Sequence, residues 1–134
     1  MIQIINPTEG PKAIGPYSPG IIADLSKGKL LFVSGQLPIR AATGEKIEDD
    51  IKEATHVTFE YISRILKSAR SDFDKVVRMD VFLRDLKDFP AMNEVYATYF
   101  PKGHYPVRQT VQCHIPAIIE ISCIALVPSH DCVA

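Results

Sequence analysis

Ile51, Ala54, Thr58, Ile62, Ile65, Leu66 and Ala69 recur at helical spacing and mark one side of a helix of about five turns. A helix of that length with a single apolar stripe is stable only when the stripe is covered, so the rest of the chain must supply a surface for it. Glu48-Asp49-Asp50, directly before it, suit the positive end of a helix. Upstream, Gly20 to Leu25 and Lys29 to Gln36 are apolar, and the turn signal Ser26-Lys27-Gly28 between them reads as a hairpin. A loop from Pro38 to Lys46, containing Thr43-Gly44, leads to the helix.

Downstream, Val77, Met79, Val81 and Leu83 alternate with Arg78, Asp80 and Arg84, the period of a strand with one face wet or at an interface. Asp88 caps a second helix with Pro90 in its first turn, Met92, Val95, Tyr96 and Tyr99 as its inner stripe, and Pro101 and Gly103 ending it. Two more strands follow, Val107 to His114 and Ile118 to Val127, joined by a tight loop at Pro116-Ala117. The order strand, strand, helix, strand, helix, strand, strand is that of a single α+β domain over residues 1–134. Two helices cover one face of a mixed sheet; the other face must be hidden by something else, and a closed barrel of subunits is one answer.

A chain of 134 residues is long enough for one core. Apolar residues at 46% and charged residues at 23% set it apart from disordered chains. Its net charge is -1 with Lys and Arg scattered, which leaves no electrostatic footprint for a nucleic-acid backbone and counts against cutting RNA. The longest apolar stretch, Ile115 to Val127, is interrupted by Glu120 and too short to span a bilayer, so no membrane is expected. Met1 to Asn6 lacks the basic region and cleavage site of a secretory signal. Cys113, Cys123 and Cys132 are an odd number without a C-x-x-C pair, which indicates a reducing, cytoplasmic location. Cys123 reads as an inert core residue. The tail Ser129-His130-Asp131-Cys132 reads as a metal site or as a frayed end. His56, His104, His114 and His130 are scattered singly, so neither metal nor cofactor is expected.

Arg108 and Glu120 stand out chemically. The guanidinium offers a planar fork that matches a carboxylate, and Pro106 fixes the chain just before it; alternatively Arg108 is a strand-edge arginine with its head in water. Ile118, Glu120, Ser122 and Ile124 share the more polar face of a strand. Glu120 is therefore either a solvated carboxylate or, if that face meets another subunit, a base inside a pocket. Tyr17 follows the rigid turn Gly15-Pro16, which aims its phenol, though many such tyrosines only pack. Ser34-Gly35 reads as a close backbone approach to a ligand or as a bulge.

Three stretches in order, Ala13-Ile14-Gly15-Pro16-Tyr17-Ser18-Pro19, Leu31-Phe32-Val33-Ser34-Gly35-Gln36-Leu37-Pro38, and Tyr105-Pro106-Val107-Arg108 running on to Ile119-Glu120-Ile121-Ser122, resemble the RidA/YjgF family of enamine and imine deaminases, also called the L-PSP endoribonuclease-like family. The resemblance covers Pro11 to Val127. It implies a chorismate-mutase-like (YjgF-type) fold assembled as a barrel-like homotrimer with sites between subunits. It also implies hydrolysis of 2-iminobutanoate, 2-iminopropanoate and their enamine tautomers to 2-keto acids and ammonia. In that resemblance Arg108 holds the substrate carboxylate, Glu120 and the Thr110 carbonyl position the attacking water, and Tyr17, Ser34, Gly35 and Asn93 line the substrate site. Thr110 stands where many members have cysteine, Ser122 where a second glutamate is common, and Pro19 where glutamine is frequent; the stretch from Arg108 to Glu120 is a few residues short. Two rival functions travel with the resemblance: RNA cleavage, which the family name carries, and a non-catalytic ligand-binding or chaperone-like module.

Overall fold

The computed structural model describes residues 1–10 and 13–129. His130 and Cys132, read above as a metal site or a frayed end, lie outside the described residues. Along the chain run β1 (Ile2–Ile5), β2 (Gly20–Ala23), β3 (Gly28–Gln36), α1 (Ile51–Ser68), β4 (Val76–Leu83), α2 (Phe89–Ala97), β5 (Val107–Gln112) and β6 (Ile119–Pro128). Strands β3, β6, β4 and β5, in that order, form a four-stranded sheet in which only β4 and β5 run parallel. Strands β1 and β2 form a separate antiparallel pair.

Asp50 opens α1, its carboxylate accepting the Glu53 N–H at 3.1 Å, and Lys67 in the last turn complements the opposite end of the dipole. The buried stripe is Ala54, Thr55, Thr58, Phe59, Ile62 and Leu66. Both threonines belong there because their hydroxyls donate to the Ile51 and Ala54 carbonyls one turn back, which leaves no buried donor unmet. Helix α2 docks beside α1 through aromatic contacts: Phe59 stacks on Tyr99 at 4.3 Å and meets Tyr96 edge-on at 5.6 Å. Beneath the helices lies one face of the sheet, with Val33, Met79, Val81, Leu83, Ile119, Ile121 and Cys123 all buried.

Register fixes which residues take the other face. Phe82 pairs with Glu120, Asp80 with Ser122, and Arg78 and Phe32 with Ile124. Phe32 is 69% exposed and Val111 41%. This is the uncovered face that two helices cannot reach.

Four expectations from the sequence need correcting. The turn at Ser26-Lys27-Gly28 exists, with Gly28 N–H donating to the Leu25 carbonyl at 3.3 Å, but β2 and β3 do not form a hairpin. Instead β2 pairs with the N-terminal strand Ile2–Ile5, and β3 pairs with β6. Strands β5 and β6 are not a hairpin either, because β4 lies between them. Asp88 makes no side-chain capping bond to α2: Pro90, at a position whose N–H a cap would use, has none to offer. The capping carboxylate is Asp85, which accepts the Lys87 N–H at 2.9 Å in the short 3₁₀ turn Leu86–Asp88. Helix α2 ends at Ala97, well before Pro101, and the chain winds on through i→i+3 bonds from Thr98 to Val95 and from Tyr99 to Tyr96.

Candidate active site

Arg108 sits at the start of β5, and its surroundings are assembled from three segments. Pro106, buried, fixes the backbone before it, and the Pro106 carbonyl accepts the Ser18 N–H at 3.0 Å. The Ser18 hydroxyl donates to the Tyr105 carbonyl. These two bonds tie the Gly15-Pro16-Tyr17 segment to the strand. Tyr17 N–H donates to the Gly15 carbonyl at 2.8 Å across Pro16, a three-residue turn, and Ile14 N–H reaches the Tyr17 hydroxyl at 3.4 Å. A side chain at position 15 would begin 3.7 Å from Arg108 Nη2 and 3.6 Å from the Tyr17 ring, so the loop wraps closely over the guanidinium.

The third segment is α2. Asn93 Oδ1 accepts from Arg108 Nη1 at 2.6 Å. The guanidinium carbon lies 4.7 Å from the Tyr96 ring centre, 5.4 Å from that of Phe89 and 6.0 Å from that of Tyr17. Phe89, Asn93 and Tyr96 stand at i, i+4 and i+7 and therefore share one helical face. That spacing was the only signal by which sequence could have found the two rings.

Burial lowers the Arg108 pKa from its ordinary value, yet a guanidinium stays charged at any physiological pH. None of the ion pairs among the described residues includes Arg108. A partly desolvated cation normally requires a counter-charge. Here it has a neutral amide and aromatic faces, the latter contributing about 0.5–2 kcal/mol. Of its five N–H donors, only one is engaged by a side chain. The result is a planar, half-buried cation with hydrogen bonds to spare.

Glu120 lies elsewhere. Val33 pairs with Cys123 and Gln36 with Ile121, so Ser34 and Gly35 together oppose Ser122. This is a bulge, and it coexists with a close approach. A Cβ at Gly35 would fall 2.4 Å from Glu120 Oε2 and 2.8 Å from its Cδ. Only glycine lets the carboxylate lie across β3, so the two readings of Ser34-Gly35 hold at once, with Glu120 itself making the approach.

Arg108 pairs with Met79 and Glu120 with Phe82, three residues apart on β4, so the two side chains leave the sheet on opposite faces. One chain thus brings Arg108, Tyr17 and Asn93 together, and separately Glu120 with Gly35; it does not unite the two groups. Thr110 pairs with Val81 on the Arg108 face. Its Oγ1 is buried without a partner, as is the Tyr96 hydroxyl. Burial drives the Tyr96 pKa upward, so that hydroxyl stays protonated. Cys123, under the helices, is likewise pushed up to about 12, in keeping with an inert thiol.

Comparison with known proteins places this geometry. Residues 7–127 match the family model described as Endoribonuclease L-PSP. A RutC family protein of Pyrococcus horikoshii is 41% identical over 128 residues, covering 93% of this chain and 98% of that protein. The 2-iminobutanoate/2-iminopropanoate deaminase of Mus musculus is 34% identical over 110 residues, 82% of this chain and 78% of the mouse protein. Among solved structures, E. coli TdcF with bound serine is 36% identical, with a TM-score of 0.65 over 92% of this chain and 98% of TdcF. The two-helix, mixed-sheet domain is the fold of these structures, and no described helix is long and apolar enough to cross a membrane. The chain belongs to the RidA/YjgF family, the group whose model carries the endoribonuclease L-PSP description.

Proposed function

We propose that this protein hydrolyses short 2-imino acids, 2-iminobutanoate and 2-iminopropanoate among them, to 2-keto acids and ammonia, in clefts shared between copies of the chain in a homotrimer. The observation that carries the reading is the half-buried Arg108 guanidinium, held by Asn93 and aromatic rings with no acidic partner. Such a group selects a carboxylate with a planar fork. Kinship with deaminases at 34–36% identity supports the reaction class.

In the proposed reaction Arg108 binds the substrate carboxylate and so orients C2, which converts recognition into proximity. Glu120 of a neighbouring copy takes a proton from water as its oxygen bonds to C2, with the Thr110 carbonyl holding the same water. The C=N π electrons move to nitrogen, which takes the proton from Glu120, giving a neutral carbinolamine. Glu120 then accepts the C2 hydroxyl proton and passes it to nitrogen as the C–N bond breaks and C=O forms, leaving a keto acid and ammonia. Tyr17 and Asn93 line the carboxylate end; Ser34 and Gly35 line the Glu120 end. Because the two groups occupy opposite faces of one sheet, the complete site needs the uncovered face of a second copy.

The experiment generates a 2-imino acid in situ with an amino-acid oxidase and follows its decay with and without the protein, with RNA incubated in parallel. Accelerated decay supports the reading. Unaccelerated decay, with RNA cleavage that stays with the protein through successive columns, contradicts it.

A further inference from the structure

Most described cations are committed to a partner. Six ion pairs engage six of them, Lys46 donates to the Pro116 carbonyl, Arg64 lies over Tyr61, and Arg108 is bound to Asn93. Lys27, Lys29, Lys67, Arg70 and Lys102 form no ion pair, side-chain hydrogen bond or aromatic contact among the described residues, and three of these five line one concavity of about 420 Å³. Lys27 and Lys29 come from the turn into β3, and Arg70 from just beyond α1; the floor includes Gly28 and Val127. Lys67, in the last turn of α1, stands three residues before Arg70. No acidic side chain is among the described lining residues. Asp24, nearby in sequence, holds the Ser26 N–H at 2.9 Å, and that bond, with a smaller contribution from the Lys27 charge, lowers its pKa without an ion pair to Lys27.

Complementing the helix dipole explains a cation at the end of α1, which accounts for Lys67 and Arg70. It does not explain Lys27 and Lys29, which belong to another element. Arg70 also has φ 59°, the only non-glycine in the left-handed region among the described residues. Glycine is the low-cost residue at such a position after a helix. An arginine kept there at the expense of backbone strain points to a use for its side chain.

We propose that this concavity binds a small molecule bearing a phosphate monoester or diphosphate. Three exposed cations from two elements, lining one concavity, match a multiply charged oxyanion better than a single carboxylate, and Arg70 provides the fork that grips two phosphate oxygens. The volume suits a small metabolite. The concavity shares no lining residue with the Arg108 and Glu120 groups, so it stands or falls apart from the deaminase reading.

Calorimetric titration of the full chain with pyrophosphate at low ionic strength tests this, with inorganic phosphate as a second probe. Saturable binding is expected, with Kd of about 1 mM or tighter and weakening as salt is added. Arg70→Gly should lower pyrophosphate affinity about tenfold or more while leaving Tm equal or higher, because glycine relaxes the backbone there. Lys102→Ser, elsewhere on the surface, should leave affinity unchanged. Undiminished binding in Arg70→Gly and in the Lys27→Ser/Lys29→Ser double variant, or no saturable binding at all, would overturn the assignment. Binding of an oligoribonucleotide that pyrophosphate cannot displace would assign the patch to a polymer and overturn it equally.

Discussion

Asn93 accepts a 2.6 Å hydrogen bond from Arg108 Nη1, and no carboxylate takes that place. The choice of amide over acid is what leaves the guanidinium available. A carboxylate there would satisfy the cation internally and compete with any anionic ligand.

Asn93→Asp should therefore hold Arg108 more firmly and bind ligand less well. An aspartate beside a guanidinium stays ionised at neutral pH. Affinity for a 2-keto acid, measured by calorimetry, is expected to fall about tenfold or more, while the fold is retained. Unchanged affinity would mean that the ligand carboxylate is held elsewhere.

Gly35→Ala places a methyl group where Glu120 now lies, 2.4 Å from Oε2. The carboxylate is the movable partner, so the strain should be relieved by its displacement, with a stability loss of about 1 kcal/mol. Imine hydrolysis should drop by about 10- to 100-fold, because small misplacements of a catalytic group are costly. Affinity for a 2-keto acid should survive, since Arg108 is untouched. A fully active variant would detach Glu120 from catalysis.

Glu120→Gln keeps shape and most hydrogen bonding but removes the base. General-base catalysis is typically worth about 10²- to 10⁴-fold, and the rate should fall within that range with assembly and keto-acid binding intact. A wild-type rate would make Glu120 a solvated surface residue.

Tyr96→Phe retains the ring under Arg108 and deletes a buried hydroxyl that has no partner. Removing an unmet buried polar group should be neutral or stabilising by about 1 kcal/mol, seen as a raised Tm in calorimetric unfolding. A large loss of stability would show that the hydroxyl is satisfied in solution.

Elements with strong local periodicity were legible in sequence. The α1 helix and the β4 strand follow from residue spacing alone, although Thr55 and Phe59 join the buried face of α1, and a bulge between Val76 and Arg78 buries Val76 in place of Val77. Strand pairing was not legible, because turn chemistry is local and partner choice is not. Ser26-Lys27-Gly28 does turn the chain, but the strands on either side find partners in different sheets. The same blindness extended to the site. Whether Arg108 and Glu120 share a face depends on β4, which lies between their strands, and not on the length of the segment that joins them. The proximity of Tyr17 and Asn93 to Arg108 followed from resemblance; the rings of Phe89 and Tyr96 packed beneath it emerged only from the folded chain.

The central claim, that Arg108 of one copy works with Glu120 of another, is tested most directly by mixing two inactive variants. Arg108→Ala and Glu120→Gln are purified separately, each checked for trimer formation by sedimentation, then unfolded together in equal amounts and refolded. With clefts shared between copies, random assembly restores intact sites in about a quarter of positions, so imine hydrolysis should recover to roughly that fraction of the wild-type rate. If each chain carries its own complete site, no mixture contains an intact one, and activity that stays at the level of the separate variants would contradict the account.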